Sequence, residues 1–193
     1  EKLDGLLRDA DIFVQGYRPG AIAKHGFGPE EVAAKRPGII YVNLSAYGHV
    51  GPWSTWRGFD SLVQSATGIV HEGMIESGTN KPCPLPCQAL DHATGYLAAF
   101  GAMIALKRRL EEGGSWMVRV SLAQTGKWFN DLGRVEGLKT KKPSRVEISD
   151  LLEKHDSPFG IIEHVRPPEN FSETQPYWST GSVPLGSNEP RWQ

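Results

Sequence analysis

An aspartate followed by a histidine, Asp91-His92, stands at the mouth of the apolar run CQALDHATGYLAAFGAMIAL, Cys87 to Leu106. A carboxylate in that place has two chemistries open to it. As a helix N-cap it accepts hydrogen bonds from free backbone amides, a contribution of about 0.5–2 kcal/mol. As a nucleophile near the positive end of a helix dipole, it stays ionised and can attack an acyl carbon. The two readings are compatible, and residue type alone favours the cap. His92 reads as a hydrogen-bonded structural residue rather than a base, since a carboxylate nucleophile has no proton to lose. A second acid, Asp60 in RGFDSLVQSATGIV, is placed to cap the helix that follows it. Cys83 and Cys87, spaced CxxxC in KPCPLPCQ, have no histidine pair at zinc-finger distances after them and read as reduced thiols.

The elements that must hold these residues alternate between helix and strand. EKLDGLLRDA sets Leu3, Leu6, Leu7 and Ala10 at helical spacing, and DIFVQ after it suits a short buried strand. GYRPG turns the chain. GPEEVAAKRPG then offers Pro29 at a first helical position, acids in the first turn and a stop at Pro37-Gly38. IIYVNLSAYG predicts a second strand, HVGPWSTWRG a long loop, and FDSLVQSATGIV one helix begun by Asp60. From about Ala93 to Leu110 apolar residues, among them Tyr96, Leu97, Phe100, Met103, Ile104 and Leu106, lie on nearly every side of a helix, which predicts an enclosed one. WMVRVSLAQ predicts a third strand and LAQTGKWFNDLG a helix after it. Such alternation predicts an α/β fold, a Rossmann-like layered sheet with helices.

Near Lys139 the character changes. KTKKPSRVE reads as a basic linker, ISDLLEKH as about two turns of helix, and the rest as a Pro-, Gly- and Ser-rich segment that must lie over something to be ordered. Residues 1–138 and 139–193 are therefore expected to be separate regions.

Length and composition narrow the function classes. The 193 residues are 39% hydrophobic, enough for a real core, and the formal net charge of -1 lacks the basic field of a nucleic-acid binder. No run of about 18 apolar residues is free of polar interruption, and the N-terminus lacks the order of a secretion signal. The expectation is a soluble cytoplasmic protein with no nucleic-acid or membrane partner and no metal. No GxGxxG follows a strand, which weighs against an ordinary dinucleotide-binding domain.

The stretch from DADIFVQGYRPG to QSATGIV, followed by LDHATGYLAAFGAMIAL and GSWMVRVSLAQT, resembles the family III CoA-transferases, the type that includes formyl-CoA and carnitine CoA-transferases. The pieces that carry the resemblance are GYRPG, RGFD and LDHATG in that order, across most of residues 1 to 135. It implies that Asp91 is a nucleophile that attacks an acyl-CoA thioester to give a mixed anhydride, after which the CoA thiolate regenerates a thioester and the acceptor carboxylate leaves as its CoA ester. It also implies that Tyr17, Arg18 and Lys24 contact CoA, the two cations suiting its nucleotide phosphates. Arg57, Gly58, Phe59 and Asp60 match a second CoA-contacting stretch, with Gly58 permitting close approach and Phe59 covering the pantetheine arm. Coenzyme A, acyl-CoA and a carboxylic acid are then the substrates.

Related acyl-CoA racemases carry a histidine where this chain has Phe59, which disfavours racemisation. The family's full subunit is about twice as long and begins with a nucleotide-binding segment, so EKLDGLL is expected to start inside a domain of a longer protein. The glycine-rich loop of formyl-CoA transferases has no match, while VPLGSNEPRW resembles the C-terminus of a subgroup with a short second domain. Family members form interlocked dimers, and the strands near Ile12, Ile39 and Val118 leave an unpaired sheet edge, so self-association or pairing with a missing upstream segment is expected. The competing expectation is a non-catalytic structural half that keeps Asp91 only as a cap.

Overall fold

The computed structural model describes residues 2–135, 141 and 143–192. The chain divides into two compact units, Glu1–Arg134 and Val135–Gln193. The boundary expected at 138/139 and part of the expected linker lie outside the described residues.

In the first unit, helix α1 (Lys2–Arg8) leads into strand β1 (Ile12–Gln15), helix α2 (Pro29–Lys35) and strand β2 (Ile40–Ser45). Helices α3 (Asp60–Ala66), α4 (Ile69–Glu76) and α5 (Ala89–Glu112) follow, then strand β3 (Trp116–Ser121) and helix α6 (Leu122–Asp131). The three strands form one parallel sheet in the order β1-β2-β3, with Ile12 opposite Ile40 and Ile40 opposite Trp116.

β2 shows why an apolar run becomes the central strand of such a sheet. Its side chains alternate between two covered faces. Tyr41, with Ile39 just before the strand, packs with Leu7, Phe27 and Val32 on the α1/α2 side, while Ile40 and Val42 pack with Ala102 and Ala105 of α5 on the other. α2 begins as its sequence predicts, with Pro29 in its first turn, Glu30 and Glu31 beside it, and Lys35 in the last turn.

α5 sits close on β3 because Gly101 has no side chain. A Cβ there would lie 2.6 Å from Cγ1 of Val118. By length and composition α5 is the one helix among the described residues apolar enough to cross a membrane, yet it is seated here as the crossover between β2 and β3. It is not enclosed as its composition predicts. Leu90, Thr94, Ala102 and Ala105 are buried, whereas Tyr96, Phe100, Met103 and Ile104 are exposed, because the sheet covers only one flank of the helix.

Two further expectations change. The single helix from Asp60 is interrupted at Gly68, whose φ of 89° lies in the left-handed region, so α3 and α4 are separate. In the second unit, ISDLLEKH makes one 3₁₀ turn (Ser149–Leu151) and then strand β4 (Leu152–Ser157), paired antiparallel with β5 (Gly160–Val165). Pro158 and Phe159 form the two-residue loop, and Gly160 at φ 95° closes it. An eight-residue helix without a packed face is marginal in water, and pairing across a ladder supplies the competing backbone bonds.

Candidate active site at the carboxyl edge of the sheet

Parallel strands put all their carboxyl ends on one edge, where open α/β sheets bind ligands. The helix that feeds β3 must run antiparallel to it, so its N-terminus points to that edge. Arg109 anchors the far end of α5, donating from Nη1 to Asp11 Oδ1 and to the Gly38 carbonyl, both at 3.0 Å and both just before a strand begins. From Arg109 back to Asp91 the helix rises about 27 Å, and β2 spans only about 20 Å. Asp91 therefore stands at the carboxyl edge. Leu90 beside it is fully buried against Ala46, Val63, Ile69 and Leu122, residues that follow β2, lie in α3 and α4, or follow β3.

Asp91 is not the cap. Gln88 occupies the N-cap position and Asp91 is the third residue of α5. Its backbone N–H is held instead by a carboxylate from another helix, donating to Asp60 Oδ2 at 2.9 Å. Asp60, only 2% exposed, is the first residue of α3, whose N-cap is Phe59, and makes no capping bond to its own helix. Its other oxygen accepts from Gln64 Nε2. Gln64 in turn donates to the Cys87 carbonyl at 3.3 Å and accepts from Leu85 N at 2.8 Å. The buried pair Asp60-Gln64 thus ties α3 to the segment that enters α5. Both Asp60 oxygens are thus bonded within the protein, one of them to the backbone of Asp91.

The Asp91 carboxylate itself has no hydrogen-bond partner among the described residues. It is exposed and borders an open cleft of about 420 Å³ with His92, Gly95, Tyr96 and Ala99. Partial desolvation, and after it the negative charge of Asp60, hold its carboxyl above the usual carboxylate range, with His92 opposing. A carboxylate with few donors around it keeps its electron density available for attack.

The turn after β1 shares this edge. Gln15, 8% exposed at the end of β1, donates to Asn43 Oδ1 of β2 and accepts from Tyr17 N at 2.9 Å. That fixes where GYRPG leaves the sheet, and Gly20 at φ 76° completes the turn. Tyr17, Arg18 and Lys24 are exposed, Lys24 within the 3₁₀ turn Ala23–His25, and the two cations form no ion pair among the described residues. No described hydrogen bond or ion pair links these three residues to Asp91.

Arg57 and Phe59 are exposed on the loop before α3, Phe59 at 76%. Gly58 has a packing reason of its own, since a Cβ would stand 3.0 Å from Ala46 Cβ and 3.1 Å from the Tyr47 ring. Of the residues singled out in sequence, Asp60 and Asp91 meet directly. Gln15 and Gln64 escaped notice because their partners are distant in the chain and a buried glutamine carries no periodic signature. A second cleft of about 420 Å³ at the same edge is lined by His49, Arg119, Ser121, Gln124 and Trp128, among others. Burial, and then the charge of Arg119, hold the His49 imidazole below its ordinary pKa.

The sequence profile of CoA-transferase family III matches residues 1–171. The chain belongs to that family. It is 33% identical over 162 residues to an acetyl-coenzyme A transferase of Hypoxylon pulicicidum, covering 82% of this chain and 26% of that protein. To a formyl-CoA:oxalate CoA-transferase of Streptomyces coelicolor it is 27% identical over 189 residues, 98% of this chain and 44% of that one. The crystal structure of Rv3272 from Mycobacterium tuberculosis superposes with a TM-score of 0.61 at 31% identity, covering 68% of this chain and 37% of that one. The parallel sheet with flanking helices is thus the family fold. The chain spans between about a quarter and less than half the length of these relatives.

Proposed function

We propose that this chain contributes the nucleophile and part of the coenzyme A site of an enzyme that transfers CoA between an acyl-CoA and a carboxylic acid. A carboxylate oxygen of Asp91 attacks the thioester carbon, the carbon–sulfur bond breaks, and CoA leaves as thiolate. The resulting acyl-aspartyl anhydride keeps the acyl group activated for transfer in either direction. The thiolate then attacks the aspartyl carbonyl of the anhydride, expelling the donor carboxylate and leaving an aspartyl-CoA thioester. The acceptor carboxylate attacks that thioester, displacing the thiolate to form a second anhydride, and the thiolate attacks its acyl carbonyl to give the new acyl-CoA and free Asp91. Arg18 and Lys24 bind the phosphates of CoA, and Arg57, Gly58 and Phe59 flank its pantetheine arm.

One observation carries this reading: at the carboxyl edge of the sheet the Asp91 carboxylate has no hydrogen-bond partner among the described residues, while its backbone N–H donates to the buried Asp60. The place of Asp91 as the third residue of α5, after the N-cap Gln88, supports this reading over a capping role. The exposed stripe Tyr96, Phe100 and Met103 on α5 supports association with a second protein surface, and a homodimer is the assembly we favour. The free cysteines Cys83 and Cys87 suit a reducing compartment such as the cytoplasm.

Hydroxylamine trapping tests the mechanism. The 193-residue chain, and any longer polypeptide containing it, is incubated with acyl-CoA and hydroxylamine and mapped by peptide mass spectrometry. The expected result is a hydroxamate at Asp91. Transfer activity with the label absent from Asp91 overturns the assignment.

A further inference from the structure

The unit Val135–Gln193 has no buried hydrophobic side chain among its described residues. Units of this size with so little core commonly depend on a metal, a disulfide or a partner. The hairpin β4-β5 concentrates three metal-ligand side chains where such a staple would sit. Glu153 and His155 are two apart on β4 and so share a face, and His164 of β5 is paired directly with Glu153. Glu153 Oε1 lies 3.5 Å from His155 Nε2 and 3.6 Å from His164 Nε2, and the three donor atoms lie within 4.8 Å of one another.

Two details point to a ligand. Among the described residues, Glu153 Oε1 is buried without a hydrogen bond, and its nearest neighbours are the two imidazoles, which satisfy it as cations only when protonated. The His164 ring places Nδ1 2.9 Å from the Val165 carbonyl. With Nδ1–H donating there, Nε2 keeps its lone pair toward Glu153, which is how backbone carbonyls orient metal-binding imidazoles. Tetrahedral zinc, with bonds of about 2.0–2.1 Å, separates its donors by about 3.4 Å. The two separations from Glu153 Oε1 lie close to that edge. The cations nearby are engaged on the opposite face, where Arg145 and Lys154 pair with Glu163.

We propose that Glu153, His155 and His164 form a binding site for a divalent transition cation of the zinc type, which staples the two strands of the hairpin. Two imidazoles and one carboxylate suit zinc rather than magnesium or calcium, which prefer all-oxygen sites. His155 and His164 border a cleft of about 570 Å³ shared with Trp178, Thr180 and Ser182, roomy enough for a water to complete the coordination. The site is independent of the transferase reading and neither supports nor needs it.

Calorimetric titration of the EDTA-treated 193-residue chain with zinc chloride tests the proposal. One equivalent is expected to bind, to raise the thermal midpoint, and to resist displacement by excess magnesium. His155→Ala and His164→Ala are each expected to weaken binding more than 10-fold, and Glu153→Gln about 10-fold, while the double variant Cys83→Ser with Cys87→Ser leaves it unchanged. X-ray absorption of the unaltered chain guards against misfolded variants, with a first shell of nitrogen and oxygen including two imidazoles expected. No saturable binding, undiminished binding in both histidine variants, or a shell containing sulfur would each overturn the site.

Discussion

Two corners of one sheet edge hold the residues assigned to the reaction, and they are built on opposite principles. At the α3/α5 corner, Asp60 and Gln64 are almost fully buried and use their polar atoms to fix the first turn of α5. At the turn after β1, only Gln15 is buried, and the cations beyond it project from the surface. The lesson is physical. A nucleophile must be held in place before the substrate arrives, since even small misplacement is costly in rate. Cations that meet phosphates can stay hydrated until the ligand displaces their water, because their interaction is long-ranged and tolerant in geometry.

The sharpest way to break this contrast is Asp91→Asn. In the polypeptide that shows transfer, activity should fall more than about 10³-fold, while circular dichroism and the unfolding midpoint stay unchanged, since the Asp91 side chain bonds to no other group among the described residues. Equal loss of fold and activity would mean that Asp91 is structural after all.

Asp60→Ala should do the reverse at the same corner. It removes acceptors from Gln64 and from the Asp91 amide, so urea unfolding should report a loss of about 2–3 kcal/mol. Turnover should fall by up to about 10²-fold, with KM for acyl-CoA changed little. Full stability in this variant would show that the buried pair does not hold the corner.

At the other corner, Arg18→Ala and Lys24→Ala should leave stability untouched. Each should weaken CoA binding by about 1–3 kcal/mol by calorimetry, with a smaller loss toward dephospho-CoA if the contact is to the 3'-phosphate. Affinity equal to that of the unaltered protein in both variants would remove the turn from the site.

The smallest effect is in pH. Desolvation, then Asp60, raise the Asp91 pKa, and in the proposed mechanism only the ionised form attacks. Transfer should therefore rise with pH through a limb above the ordinary carboxylate range. Since the folded pKa lies above the unfolded one, ionisation of Asp91 opposes folding, and this penalty disappears as pH falls below the unfolded value. Asp60→Asn removes a negative neighbour and should move the acid limb of the rate profile to lower pH. An unmoved limb would exclude Asp60 as a source of the shift.

Much of this edge was legible in the chain. DIFVQ, IIYVNLS and WMVRVS are apolar runs bounded by turns, and they became β1, β2 and β3 because a doubly covered parallel sheet favours such runs. Asp91 stood out as a lone acid at the start of an apolar helix. The hairpin of the second unit did not stand out, because Glu153, Lys154, His155 and Asp156 in β4 give no apolar alternation. Only their pairing with His164, Glu163, Ile162 and Ile161 makes that segment a strand.

Residue order by itself determined the local pieces: the strands, the Pro29 start of α2, the turn at Gly20 and the presence of a carboxylate where α5 begins. Those depend on periodicity and on the conformational range of single residues, which neighbours in sequence supply. Only the tertiary structure decided what Asp60 does. Its partner amide is 31 residues away, and which of its two apparent roles it takes, cap of its own helix or anchor of another, depends on burial. Once α3 and α5 pack together at that corner, water is excluded and a buried carboxylate must find its donors there.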